Sequence, residues 1–278
     1  MSVAARAPRR RAQAAPRNVR RQVIDLHCHV LPGIDDGPAS IEGSLALARA
    51  AGAAGTRTLV ATPHVSARYP NDAATIARAV ERLNARLAAE AIAVEVRAGA
   101  EIALTSALEL EPEQLSQLAL GGGPWLLIEP PYTPAATGVD SLVLDVVRRG
   151  HRVVLAHPER CPAFHRDRAV LESLVRAGVL TSITAGSLVG RFGAQVRRFA
   201  LALVRDGLVH NVASDAHDHS GRPPGIAAEL AHAGLQPLAA WLTAGVPAAI
   251  LAGGEIPPPP PGALEQLRPR RAWGWSRG

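Results

Sequence analysis

The chain has 278 residues, 47% of them hydrophobic and 19% charged, a globular composition with room for one large domain or two small ones. All 30 basic residues are arginine; seven lie in residues 1–22 and four in 268–278, so the middle holds 19 against 24 acids, a net charge of about −5 within an overall +6. An acidic body argues against a nucleic-acid-binding surface, and no nucleic-acid partner is expected.

Residues 1–22 read as a disordered Arg-rich leader, because a block of like charges repels itself, and they lack the apolar core of a secretory signal. From Val23 onward, short apolar runs alternate with longer helical patterns: 23–30, 57–63, 93–101, 125–130, 152–158, 180–185 and 208–215. Between them, residues such as Ile76, Val80, Leu83 and Leu87 are spaced for one face of an amphipathic helix. Seven such βα units predict an α/β fold whose parallel strands are covered by helices. The apolar stretch 238–254 is broken by Gly245 and Pro247 and is shorter than the roughly 20 residues a spanning helix needs, so no transmembrane segment is expected. Five prolines at 257–261 are expected to end the domain, 23–256, and to open an extended Pro/Arg-rich tail, 257–278. Cys28 and Cys161 make neither a disulfide framework nor a CxxC pair, which predicts a reducing, cytoplasmic setting.

Nearly every apolar run ends in a residue that can bind a metal: His27 and His29, His64, Glu101, Glu129, His157, then Asp215 and His217. In a closed parallel barrel the C-terminal ends of the strands converge on one mouth, whereas an open sheet spreads them along an edge. The pattern therefore predicts a distorted seven-stranded TIM-like barrel. On a strand, His27 and His29 point to the same side and can share an ion, with Cys28 directed away. Two histidines at a strand end can arise by chance, but six further His, Glu or Asp residues at successive strand ends make that reading poor, since buried charge is rare unless paired or coordinating.

The segments around these residues are Asp25-Leu-His-Cys-His-Val-Leu-Pro-Gly-Ile-Asp-Asp-Gly37, Ala61-Thr-Pro-His64, Gly99-Ala-Glu-Ile102, Ala156-His-Pro-Glu-Arg160, Ser214-Asp-Ala-His217 and Gly221-Arg-Pro-Pro224. With them the chain resembles the polymerase and histidinol phosphatase (PHP) superfamily. More narrowly, it resembles the bacterial manganese-dependent protein-tyrosine phosphatases of the CpsB and YwqE type, over roughly residues 23 to 256. The resemblance implies a distorted (β/α)7 barrel of the PHP type with three divalent ions, manganese first, iron or zinc as alternatives. It implies His27, His29, Glu101 and Asp215 on one ion, Glu101 bridging to a second held also by Glu129 and His157, and Asp36, His64 and His217 on a third. Asp35 is the weaker candidate of the adjacent pair, and either aspartate can serve instead as a turn residue before Gly37. Arg160 and Arg222 are assigned to the phosphate oxygens, with a plain salt bridge as the alternative for each. Glu159 and Asp25 are read as orienting groups.

Three divalent ions set against four carboxylates and one bridging hydroxide leave about +1, a site that welcomes a phosphate dianion. The implied reaction is attack of that hydroxide on phosphotyrosine. The implied partner is a bacterial tyrosine kinase in capsule or exopolysaccharide synthesis. A thiol mechanism is excluded, because a phosphate loop needs an arginine separated from its cysteine by five residues, and at that spacing Cys28 is followed by Ile34 and Cys161 by Asp167. The rivals are a small-molecule phosphatase such as histidinol-phosphate phosphatase, an amidohydrolase, although no lysine is present to be carboxylated, and a noncatalytic binding protein with a vestigial site. His151, His165, His210 and His232 are read as surface or packing residues, and His219 as a candidate substrate contact.

Overall fold

The computed structural model describes residues 22–267. The Arg-rich leader up to residue 21 and the last eleven residues of the tail lie outside them. Nine strands carry the seven apolar runs: β1 (Val23–Cys28), β2 (Thr56–Ala61), β3 (His64–Val65), β4 (Glu95–Ala98), β5 (Glu101–Ala103), β6 (Trp125–Glu129), β7 (Arg152–Ala156), β8 (Leu180–Thr184) and β9 (Asn211–Ala213). All named pairings are parallel, and helices fill the connections other than the two-residue links β2–β3 and β4–β5.

The strands form two sheets, of order β1-β2-β4 and β3-β5-β6-β7-β8-β9, so the expected single ring of strands is not present as one continuous ladder. The reason lies in two interruptions. Pro63 has no N–H to give the ladder. Gly99 sits where a Cβ would stand 2.8 Å from Val60 Cγ1, so the chain between β4 and β5 presses on β2. Hydrogen bonds from Thr62 N to Cys28 O (3.0 Å) and from Glu101 N to Pro63 O (3.1 Å) carry the pairing past these breaks. At the far side, Asp215 N donates to His27 O (2.8 Å) and His29 N to Ala216 O (2.9 Å), which fastens the end of β1 to the chain leaving β9.

Burial explains the strand composition. Leu126, Leu127 and Ile128 of β6 and Val153, Val154 and Leu155 of β7 are all buried, as parallel strands covered on both faces require. The helix Ala73–Ala89 starts at Asp72, whose side chain accepts from Thr75 N, and buries Ile76, Val80, Leu83 and Leu87 on one face. Each of those side chains contributes about 1.5–3 kcal/mol on leaving water. On the same helix Asn84 pairs both ways with Val96 of β4, at 2.7 and 3.0 Å. The stretch 238–254 is divided among helix Gln236–Ala240, a wide turn Trp241–Gly245 and helix Val246–Ala252, with Pro247 withholding a backbone donor at the junction. No helix among the described residues is long and apolar enough to cross a membrane.

Packing continues beyond the proline run. Pro257 O accepts from Trp241 Nε1 (2.7 Å), and a short helix, Ala263–Leu267, lays buried Ala263 near helix Ala194–Arg205.

His210, just before β9, is largely enclosed, and Thr181 N donates to its Nδ1 (3.2 Å). Burial pushes its imidazole down to about 4 from the ordinary 6.5. The unfolded chain therefore takes up this proton first as the pH falls below 6.5, and stability drops until about pH 4. Urea unfolding of wild type and His210→Gln across that window should diverge by on the order of 1–3 kcal/mol, wild type losing more at low pH. Parallel curves would show that His210 is not held neutral.

Candidate metal centre

The site is built where the strands end. β1 delivers His27 and His29 on one side, their Nε2 atoms 3.2 Å apart, with Cys28 turned into the core. β3 and β5 pair in register at His64 and Glu101, which sets those two side chains next to each other. Glu101 is the hub: its Oε2 lies 3.2 Å from His27 Nε2, His29 Nε2 and His64 Nδ1, and its Oε1 2.7 Å from His157 Nε2. Glu129, at the end of β6, approaches His64 (3.8 Å) and His157 (3.9 Å). Asp215 Oδ1 stands 3.5 Å from both His27 and His29 and 3.7 Å from His217.

Asp35 and Asp36 are sharply different. Asp36 is exposed, with Oδ1 at 3.2 Å from His217 Nε2 and 3.5 Å from His64 Nε2. Asp35 faces inward and accepts from His29 Nδ1 (2.7 Å), Gly37 N (2.9 Å) and His64 N (3.2 Å). It fixes the tautomer and orientation of His29, leaving Nε2 free for an ion. The turn needs Gly37, since a Cβ there would collide with the His29 carbonyl oxygen.

His157 (φ 30°) and Asp215 (φ 51°) both adopt left-handed backbone, a strained choice for residues with side chains that here places them at the mouth. Two buried carboxylates brace these turns. Asp25 accepts from Ser214 N (3.0 Å), tying β1 to the Asp215 turn. Glu159 accepts from Thr184 N (3.0 Å) and Ser187 Oγ (2.6 Å), tying the His157 turn to the end of β8. Burial raises the carboxyl pKa of both.

All nine candidate ligands come together. They fall into four overlapping groups able to offer atoms within 4.8 Å of one another: His29, Asp36, His64 and His217; His27, His29 and Glu101; His27, His157 and Asp215; His64, Glu101 and Glu129. The chemistry of this donor set fits divalent cations. Burial, then the neighbouring Glu101 carboxylate, pushes Glu129 up to about 8, and burial with Arg160 pushes His157 down to about 4. A carboxylate raised by its neighbour, like Glu129, and an imidazole held neutral, like His157, both favour a bound cation.

Arg160 and Arg222 both rest on one atom: Arg160 Nη1 and Arg222 Nη2 each stand 2.6 Å from Asp215 Oδ2. Asp218 shapes the loop that brings Arg222 in, accepting from Ser220 N (2.7 Å), Gly221 N and Arg222 N (3.2 Å). The cavity between the arginines and the ligand cluster measures about 170 Å³. Of the remaining histidines, His165 contacts Glu159 O (2.7 Å) and packs on Phe199, and His219 is exposed outside the cavity lining.

Sequence reasoning missed Tyr132. Its hydroxyl lies 2.8 Å from His157 Nδ1 and against Arg160 Nη2, and it lines the cavity. Its position directly after Glu129-Pro-Pro was the available signal.

The family described as "Capsular polysaccharide synthesis, CpsB/CapC" matches residues 23–233. Tyrosine-protein phosphatase YwqE of Bacillus subtilis (strain 168) is 39% identical over 197 residues, 70% of this chain and 78% of that protein. A putative tyrosine-protein phosphatase, CapC of Staphylococcus aureus, is 31% identical over 202 residues, 72% of this chain and 79% of that protein. Among solved structures, a chain from the work on YwqE from Bacillus subtilis and CpsB from Streptococcus pneumoniae, described as unique metal-dependent tyrosine phosphatases, superposes with TM-score 0.74 at 33% identity. It covers 84% of this chain and 96% of that one. A lactonase template engineered for organophosphate hydrolysis shares the fold alone, at 15% identity and TM-score 0.53, covering 84% of this chain and 96% of that one. With a family match spanning most of the chain and a relative near 39% identity, the chain belongs to the CpsB/CapC family of capsular polysaccharide synthesis.

Proposed function

We propose that this protein is a metal-dependent protein-tyrosine phosphatase, acting in the cytoplasm on a phosphotyrosine protein, a bacterial tyrosine kinase of capsule or exopolysaccharide synthesis. The observation that carries the reading is the convergence of two guanidinium groups on Asp215 at the wall of a cavity lined by seven of the nine clustered imidazole and carboxylate side chains. The relatives named as tyrosine phosphatases support the substrate class.

In this reading the two sheets work as one distorted (β/α)7 barrel, with the strand ends around a common mouth. His27, His29, Glu101 and Asp215 would hold one divalent ion, Glu101, Glu129 and His157 a second, and Asp36, His64 and His217 a third, manganese being the first choice. Such ions lower the pKa of water toward neutrality and clamp phosphoryl oxygens for in-line displacement. Asp35 keeps His29 oriented, and Asp25 and Glu159 keep the strained turns in place. When a phosphoryl group arrives, Arg160 and Arg222 exchange Asp215 Oδ2 for its non-bridging oxygens, which guanidinium donors fit in bidentate fashion. A phenolic leaving group, with pKa about 10, needs less proton assistance than an alkoxide.

The test is phosphate release from a phosphotyrosine peptide and from histidinol phosphate, side by side, with Mn²⁺ and then with EDTA. Peptide turnover abolished by EDTA is the expected result. Preference for histidinol phosphate would move the substrate to small-molecule metabolism, and inactivity on both would overturn the phosphatase reading.

A further inference from the structure

Aromatic side chains are scarce in this protein, 3% of residues, with only two tyrosines and three phenylalanines. Both tyrosines and one phenylalanine nevertheless pack against His64, His157 or Arg160 of the site. Tyr69 stacks on His64 with centroids 5.6 Å apart, and Arg68 covers it at 5.0 Å. Tyr132, 41% exposed, stacks on His157 at 5.5 Å. Phe192 lies in the turn joining the short helix Ala185–Leu188 to helix Ala194–Arg205, between Gly190 (φ 88°) and Gly193 (φ 92°), whose left-handed backbone allows the tight reversal. The Arg160 guanidinium carbon sits 4.6 Å from the Phe192 ring centroid and 5.3 Å from that of Tyr132. One arginine is thus bracketed by two rings brought from separate loops.

Cation–π attraction to either ring steadies Arg160. It does not require two rings, nor does it require one of them to stay as exposed as Tyr132. Phosphotyrosine supplies a reason: its ring is joined to phosphorus through a single oxygen, so a phosphoryl group gripped by Arg160 brings the aryl ring among the groups flanking that arginine. We propose that Phe192 and Tyr132 form an aromatic wall that receives the ring of the substrate and selects aryl over alkyl phosphomonoesters. The proposal rests on the phosphatase reading and names the specificity determinant of the same site. Tyr132 has a second duty, since its hydroxyl accepts from Arg160 and meets His157, so Phe192 is the residue whose loss isolates the wall. Offset or edge-to-face contact between the substrate ring and these side chains would favour an aryl ligand by roughly tenfold.

Binding separates this preference from leaving-group chemistry. Calorimetric titration of Mn²⁺-loaded protein with phenylphosphonate and methylphosphonate, neither hydrolysable, gives the aryl preference as a ratio of dissociation constants. Wild type should favour phenylphosphonate, and Phe192→Ala should reduce that ratio roughly tenfold with methylphosphonate affinity little changed. Phe192→Leu, which keeps apolar packing on Arg160, should lose most of the same preference, and Tyr132→Phe should keep it. An equal loss of both affinities in Phe192→Ala and Phe192→Leu would mean that Phe192 only props Arg160, and would overturn the wall. Wild type binding both phosphonates equally would also overturn it. Wild type binding neither would sink the phosphate site itself, a failure of the underlying reading that is distinct from the other two.

Discussion

Exchanging Glu101 for glutamine should strip the protein of divalent ions and reduce turnover of a phosphotyrosine peptide by on the order of 10³ or more. Removal of a single preorganised charge-stabilising group costs about 10²–10³ in rate, and here the same residue also belongs to two of the four ligand groups. Four imidazoles lean on the two carboxylate oxygens of Glu101, three at 3.2 Å and one at 2.7 Å. An amide presents one oxygen and an NH2 group, so some of those nitrogens would face a donor instead of an anion, and the proposed metal bridge would be lost. The side chain is buried but surrounded by polar groups, and the helices and strands do not depend on it, so circular dichroism should stay native. Metal content by mass spectrometry and kcat on the peptide are the readouts. Wild-type values of both in Glu101→Gln would remove Glu101 from the centre. Glu101→Asp, which keeps the charge but withdraws it by one methylene, should fall between the two.

The legible part of this protein is the part written in periodicity. His27 and His29 are two apart on an apolar run, Glu101, Glu129 and His157 stand at the ends of others, and the strand pattern puts all of them at one end of parallel strands, where curvature of the sheet brings them together. The choice of Asp36 over Asp35 was harder, because both precede Gly37. What separates them is which way the turn folds, and that depends on the close approach of Gly37 to the His29 carbonyl. The division into two sheets was visible only as Pro63 and Gly99 inside otherwise continuous runs; how β3 and β5 then align is a matter of tertiary pairing. Tyr132 and Phe192 were hidden for a different reason. Their loops carry no period, and their relevance comes from both lying against Arg160, a relation between residues 28 and 32 positions from it that no local pattern encodes. The docking of Ala263 past five prolines likewise follows from a contact with distant helices.

Replacing Arg160 or Arg222 with alanine should each lower kcat/KM on a phosphotyrosine peptide by about 10², with metal content unchanged, since neither arginine belongs to a ligand group. Both contact Asp215 Oδ2 at 2.6 Å, and Asp215 turns its other oxygen to His27 and His29, so the arginines are linked to the ligand cluster through one carboxylate. Removing one guanidinium leaves the other held by Asp215 without a competitor, which makes its transfer to phosphate harder. The double variant should therefore lose less than the product of the single losses, with a coupling of about 0.5–3 kcal/mol for groups sharing a partner. Arg160→Lys should recover little, because an ammonium neither forks onto two phosphoryl oxygens nor lies flat between Phe192 and Tyr132. An unchanged kcat/KM in either single variant would reduce that arginine to a salt bridge that steadies Asp215. Strict additivity would mean that the two act on the phosphoryl group without passing through Asp215.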